Sequence, residues 1–174
     1  MTHDEVTLLQ EILKGKEKRV EIQRKLIEKY NTTLISFTLN IPGFYKIKDE
    51  YKIAHNAGVS ALKEEIKKRN LEIIHLEENV TPAGFETFIC VDAPMEIVKK
   101  MTISIEENHK LGRLFDLDVF DNKYRQVSRT EFNVSKRKCL ICDENANVCR
   151  REGNHSLQEI LNKIDSLIRE YKEF

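Results

Sequence analysis

The sequence has no surplus of either charge. Lys plus Arg and Asp plus Glu each number 29 in 174 residues, which excludes the strongly basic class of nucleic-acid or membrane-surface proteins. It lacks any apolar run approaching the roughly 18 to 20 residues needed to span a bilayer. Its first residues, MTHDEVTLLQ, show no basic stretch followed by an apolar one, so no secretory leader is expected. A soluble, cytoplasmic protein is the expectation. Internal repeats, low-complexity tracts and linker-like stretches are missing as well, and 40% hydrophobic residues over this length suit one domain, residues 1–174. Material for a disulfide framework is scarce. Three of the four cysteines crowd between residues 139 and 149, which in a reducing compartment points to a metal site or to burial. Cys90, in FETFICVDAP, reads as core.

What is present is a regular alternation of periods. Residues 4–30 carry apolar side chains at helical spacing, with a break expected near Gly15. TTLISFTLNIPG reads as a strand running into a Pro42-Gly43 turn. Residues 50–69 return to helical spacing and end at Asn70 as a C-terminal cap. LEIIHLEENV and FETFICVDAP form a hairpin across a loop holding Pro82 and Gly84. Residues 95–108 are helical, with Pro94 at the start, where proline is tolerated. KLGRLFDLDVFDN is a strand, YRQVSR its hairpin partner, and residues 156–171 an amphipathic closing helix. The order predicts an α+β fold: an antiparallel sheet with a split βαβ core, ferredoxin-like and palm-like, plus N- and C-terminal helices.

Two aspartates interrupt the strand KLGRLFDLDVFDN. Residues two apart on a strand project to the same face, roughly 6.5 to 7 Å apart, so Asp116 and Asp118 stand together while Phe115, Leu117 and Val119 face the core. Parallel carboxylates repel, and a divalent cation resolves the repulsion. Mg²⁺ is commonly held by one or two carboxylates with phosphate oxygens completing its shell, and such ions serve phosphoryl and nucleotidyl transfer. Gly112 permits close approach of a phosphate and Arg113 can clamp one. The bland alternative is a solvated sheet face.

Downstream, Cys139-x2-Cys142-x6-Cys149-x5-His155 offers three thiols and an imidazole suited to a structural Zn²⁺ site, or simply to a packed, reduced loop. Between Lys110 and Arg151 stand ten basic residues against six acidic ones, an excess of four positive charges. Arg125, Arg129, Arg137, Lys138, Arg150 and Arg151 can receive a polyphosphate or merely solvate a surface. Glu106 and His109, three apart, share a face if the helix reaches that far, and His109 can then accept a hydroxyl proton. His3, His55 and His75 have no evident partner.

HKLGRLFDLDVF, then VSR, then KRKCLICDENANVCRREGNH closely resemble the holo-citrate lyase synthase family, the apo-citrate lyase phosphoribosyl-dephospho-CoA transferases. LISFTLNIPG and HNAGVSAL are similar too, with a departure at Phe44, where a second proline is expected after Pro42-Gly43. The resemblance implies a metal-dependent nucleotidyltransferase. Its reaction would move the phosphoribosyl-dephospho-CoA group from 2'-(5''-triphosphoribosyl)-3'-dephospho-CoA to a serine of the citrate lyase acyl carrier protein (the gamma subunit), releasing diphosphate. It places Gly112, Arg113, Asp116 and Asp118 on one family motif, and Arg129, Arg137, Cys139, Cys142, Cys149, Arg150 and His155 on another. No third carboxylate for a metal stands out; Glu77, Glu78 and Asp92 are the available ones. Rival readings are a non-catalytic module that binds a carrier protein, a nucleotidyltransferase acting on a related carrier such as that of malonate decarboxylase, and a zinc-knuckle nucleic-acid binder. Zero net charge opposes the last.

Overall fold

The computed structural model describes residues 2–173. Helix α1, His3–Tyr30, starts on a capping box in which Thr2 and Glu5 satisfy each other's backbone N–H groups, and ends at Asn31 in the left-handed region. The expected break at Gly15 does not occur. A Cβ there would lie 2.8 Å from Thr81 Oγ1 and 3.0 Å from the Ala83 Cβ. The glycine therefore lets an unbroken helix lie close on the hairpin turn, and its signal in the sequence is close approach, not helix termination.

Strand β1 is Thr33–Leu39, helix α2 Asp49–Lys68, strand β2 Glu72–Thr81, strand β3 Gly84–Asp92, helix α3 Met95–Asn108 and strand β4 Phe115–Phe120. The four strands form one antiparallel sheet in the order β2-β3-β1-β4, the split βαβ order predicted. Asn70 takes φ +53° just beyond α2, the left-handed conformation that asparagine tolerates at a helix end.

The two sheet faces are covered differently. Ile35, Phe37, Ile89, Val91, Phe115, Leu117 and Val119 point to a core shared with α2, α3 and the closing helix α5, Leu157–Lys172, which contributes Ile164 and Ile168. Leu34, Phe88, Cys90 and Phe120 point the other way, onto Leu26 and Ile27 of α1. Cys90 is buried as expected. Each fully buried Phe or Leu side chain contributes roughly 1.5–3 kcal/mol, so the sheet is sandwiched and register-locked on both sides.

YRQVSR does not form a fifth strand. Val127 N–H donates to the Val119 carbonyl, and Phe120 makes a single bridge to Gln126. The chain turns back through Asp121, whose carboxylate accepts the N–H groups of Lys123 and Arg125, and leaves the sheet edge after Val127, where Ser128 caps a 3-10 turn, Arg129–Phe132. Beyond it comes a short helix α4, Ala146–Glu152. No helix among the described residues is long and apolar enough to cross a membrane.

Candidate functional site

Strand β4 lies at one edge of the sheet, and its outward backbone groups at Phe115 and Leu117 are met by charged side chains in place of another strand. Leu117, between the two aspartates, donates its N–H to Glu106 Oε1 at 3.1 Å and accepts from Lys99 Nζ at 3.3 Å. The Phe115 carbonyl accepts from Arg137 Nη1 at 2.7 Å. Glu106 and Lys99 are both buried and stand seven residues apart on α3, two turns along one face. They hold the aspartate-bearing strand by its edge, which also blunts it against pairing with another chain.

Asp116 and Asp118 face the side opposite the main core, across from Thr38 and Ser36. Arg137 Nη2 lies 3.6 Å from Asp116 Oδ1 and also contacts Glu106. Gln126 Nε2 donates to Asp118 Oδ1 at 2.7 Å. Burial, then the charge of Asp116, push the Asp118 carboxyl up to about 6 against the pull of Lys99, Gln126 and Arg137. Burial likewise raises Glu106, opposed first by Arg137. The sheet has thus gathered carboxylates whose repulsion is only partly compensated.

Beside this strand opens a cavity of about 480 Å³. Gly112, Arg113, Arg129, Arg137, Lys138 and Arg150 all line it, with Pro42, Leu114, Leu140 and Ile160 as an apolar wall. These cations come from four separate stretches of chain. Gly112 reaches the wall through a 3-10 turn packed on the end of α3, where any Cβ would strike the carbonyls of Ile105 and Glu106; its small size serves that turn. Arg129 pairs with Glu107 at 3.0 Å through Nη2, while its Nε is buried without a protein partner. Arg113 donates to the carbonyls of Lys138 and Cys139. Asp116 and Asp118 are not part of the lining; Arg137, which pairs with Asp116 and also lines the cavity, joins the carboxylate strand to the cationic cavity.

The cysteine motif closes on itself. One ligand atom each from Cys139, Cys142, Cys149 and His155 lie within 4.8 Å of one another, and His155 Nε2 is 3.2 Å from Cys142 Sγ. All four cysteines are free thiols. Three sulfurs and an imidazole nitrogen at this spacing can hold a metal ion.

Other expected residues lie elsewhere. His109 caps the C-terminal end of α3; its Nδ1 accepts the Leu111 N–H at 3.0 Å, and its ring packs on Phe115 and Tyr171. Burial lowers its pKa, with Glu64 of α2 opposing; because α3 ends at Asn108 and the ring turns into the aromatic packing, it does not join Glu106 at the cavity. Glu77 and Glu78 sit on β2, the edge strand opposite β4, and Asp92 ends β3 beside Glu72. Lys99 and Gln126 carry no motif and were not legible as site residues. The one signal is a lysine inside the apolar stripe of α3, between Val98 and Met101.

Comparison with known proteins gives a consistent result. A family model described as apo-citrate lyase phosphoribosyl-dephospho-CoA transferase matches residues 7–171. A Vibrio cholerae serotype O1 protein named "Probable apo-citrate lyase phosphoribosyl-dephospho-CoA transferase" is 34% identical over 164 residues, 94% of this chain and 92% of its own length. Proteins of Escherichia coli O7:K1 and Shigella boydii serotype 18, both named apo-citrate lyase phosphoribosyl-dephospho-CoA transferase, are 32% identical over 158 residues, 91% of this chain and 86% of theirs.

Proposed function

Because the chain belongs to the apo-citrate lyase phosphoribosyl-dephospho-CoA transferase family, we propose that it transfers the phosphoribosyl-dephospho-CoA group from its triphosphoribosyl donor to a serine of the citrate lyase acyl carrier protein. The serine hydroxyl oxygen bonds to the phosphorus nearest the ribose and gives up its proton to solvent, the bond to diphosphate breaks, and diphosphate leaves. The observation that carries this reading is Arg137, which contacts Asp116 and Glu106 on one side and lines a cavity with Arg113, Arg129, Lys138 and Arg150 on the other. A polyanion in that cavity lies against the carboxylate strand.

Roles follow from placement. Arg113, Arg129 and Arg137 bind the donor phosphates and stabilise the negative charge that grows on the departing diphosphate; preorganised donors of this kind are individually worth roughly 10²–10³ in rate. The apolar wall receives the less polar part of the donor. Lys99 and Glu106 keep Leu117, and with it both aspartates, in register. Asp116 and Asp118 fit a magnesium ion, since they share one face and the charged form of Asp118 is disfavoured by burial and then by its neighbour. When bound there, the ion supplies polarisation of the attacked phosphate. The Cys3His knot has the donor set of a structural zinc site.

The test is the intact mass of the apo carrier protein after incubation with this protein, magnesium and the triphosphoribosyl-dephospho-CoA donor, with a chelator control. The expected outcome is a metal-dependent gain equal to the transferred group, reduced at least about 100-fold in rate by Asp116→Asn or Asp118→Asn with unchanged circular dichroism. Carrier binding without any mass gain would make the chain a binding module instead.

A further inference from the structure

We infer that the Cys3His knot organises the polyphosphate-binding wall of the cavity, so that metal occupancy of the knot decides whether the site binds its anionic ligand. This deepens the transferase reading and rests on it. The knot is not remote from the site: Cys139, Cys149 and His155 themselves line the cavity. Lys138 precedes Cys139 directly, with Arg137 before it, and Arg150 follows Cys149. Arg113, from the turn before β4, is aimed by the knot as well, because its guanidinium donates to the carbonyl of Cys139 and to that of Lys138; Arg129, held by Glu107, is the cavity arginine that the knot does not touch.

Apart from Arg137, bonded to Phe115 and Glu106, and Leu140, partly packed on the main core, the stretch that presents these cations has little to hold it. Among the described residues between 133 and 155 the only regular helix is the seven-residue α4. Its buried hydrophobic positions are Cys139 and Cys149 themselves, and neither belongs to the apolar clusters of the sheet. Two backbone bonds, Cys139 N–H to Glu144 and Ala146 N–H to Arg137, close the loop between the knot's halves. Thiols are weak donors and weak acceptors, so protonated cysteines give each other little. An ion bound to residues 139, 142, 149 and 155 cross-links both ends of the stretch in a single step, and metal binding then becomes local folding free energy. Gathered cations repel one another, and the same cross-link opposes that repulsion until a polyanion arrives.

The experiment compares protein purified without chelator, the same protein stripped by a thiol-competing chelator and returned to magnesium, and Cys142→Ser, the substitution at the knot's partly exposed thiol. Metal content, far-UV circular dichroism, thermal unfolding and calorimetric titration with inorganic triphosphate are read on each. The expected result is about one ion per chain in the first sample and, in the other two, retained helix and sheet signal with at least a tenfold weaker triphosphate affinity. Zinc restores the affinity of the stripped protein and magnesium does not. Equal triphosphate binding by stripped and loaded protein overturns the inference, and so does a knot that takes up no ion. Global unfolding on stripping also overturns it, by making the ion a general stabiliser. If the loaded protein transfers the group to the carrier while the stripped one does so equally well, the transferase reading stands and only this inference falls. Absence of triphosphate binding by the loaded protein removes the phosphate-cavity reading beneath both.

Discussion

Residues 84–120 and residues 121–155 are close in length and opposite in construction. The first stretch is nearly all β3, α3 and β4, locked between two apolar layers. The second has a 3-10 turn, one short helix, and only Val127, Cys139 and Cys149 as buried hydrophobics. Yet the second supplies Arg129, Arg137, Lys138 and Arg150 to the cavity, while the first supplies the aspartates and the Lys99–Glu106 clamp. The sheet provides fixed position, and the irregular stretch provides charge at a distance no strand can reach. Binding residues on loops positioned by a rigid scaffold are the general pattern, and the weakly packed region is where local opening costs least.

Three substitutions would break or sharpen that contrast. The largest effect is expected at Phe37, fully buried in the sheet and stacked on His55. Phe37→Ala should cost about 3–5 kcal/mol and lower the melting temperature by roughly 10 °C or more, measured by thermal unfolding. A small shift would mean that the sheet core does not set global stability.

Asp118→Asn should act in the opposite direction on stability. The native carboxyl titrates at about 6, above its ordinary 3.8, so the folded state holds a proton that the unfolded state has lost between those values. Wild-type stability therefore declines as pH rises from about 4 to about 6, and stays lower above that. The asparagine variant, which keeps an acceptor for Gln126, should be more stable than wild type by on the order of 1–3 kcal/mol at pH 7 without divalent cations. The gain should vanish below pH 4, and magnesium should narrow it. Denaturant titration at pH 3.5 and 7 checks this; equal stability at both would show that the pair is already neutralised by Lys99 and Arg137. A functional carboxylate pair that lowers stability is the usual trade between site and scaffold.

The smallest stability effect belongs to Arg150, exposed on α4 and bonded only weakly, at 3.3 Å, to Asn147. Arg150→Ala should change stability by less than about 0.5 kcal/mol while raising the KM for the donor several-fold. An unchanged KM would take Arg150 out of the cavity's working wall.

Much of the scaffold was legible. Alternation and helical spacing place the four strands and the long helices, and the pairing of Asp116 with Asp118 on one face follows from the period of a strand. The Cys-Cys-Cys-His spacing closes as the motif suggests. Where sequence reasoning missed, a tertiary contact had overruled a local signal. Gly15 looks like a helix break but is a contact with Thr81 and Ala83. YRQVSR looks like a strand, but beyond its contact at Val119 the outer edge of β4, at Leu117 and Phe115, is taken by Glu106, Lys99 and Arg137 side chains. His109 looks like a partner of Glu106, but α3 ends one residue before it and its ring joins the aromatic packing against Phe115.

The sequence by itself determined which side chains alternate, which cap, which carry like charge and which can ligate a metal, because these depend on neighbours within a few residues. Only the tertiary structure decided that an α3 lysine and glutamate would hold the aspartate strand, and that Arg113, Arg129, Arg137 and Arg150 would line one cavity against the cysteine knot. Those meetings span tens of residues of chain and follow from how the edge of the sheet and the surface of α3 pack in space, which no local period encodes.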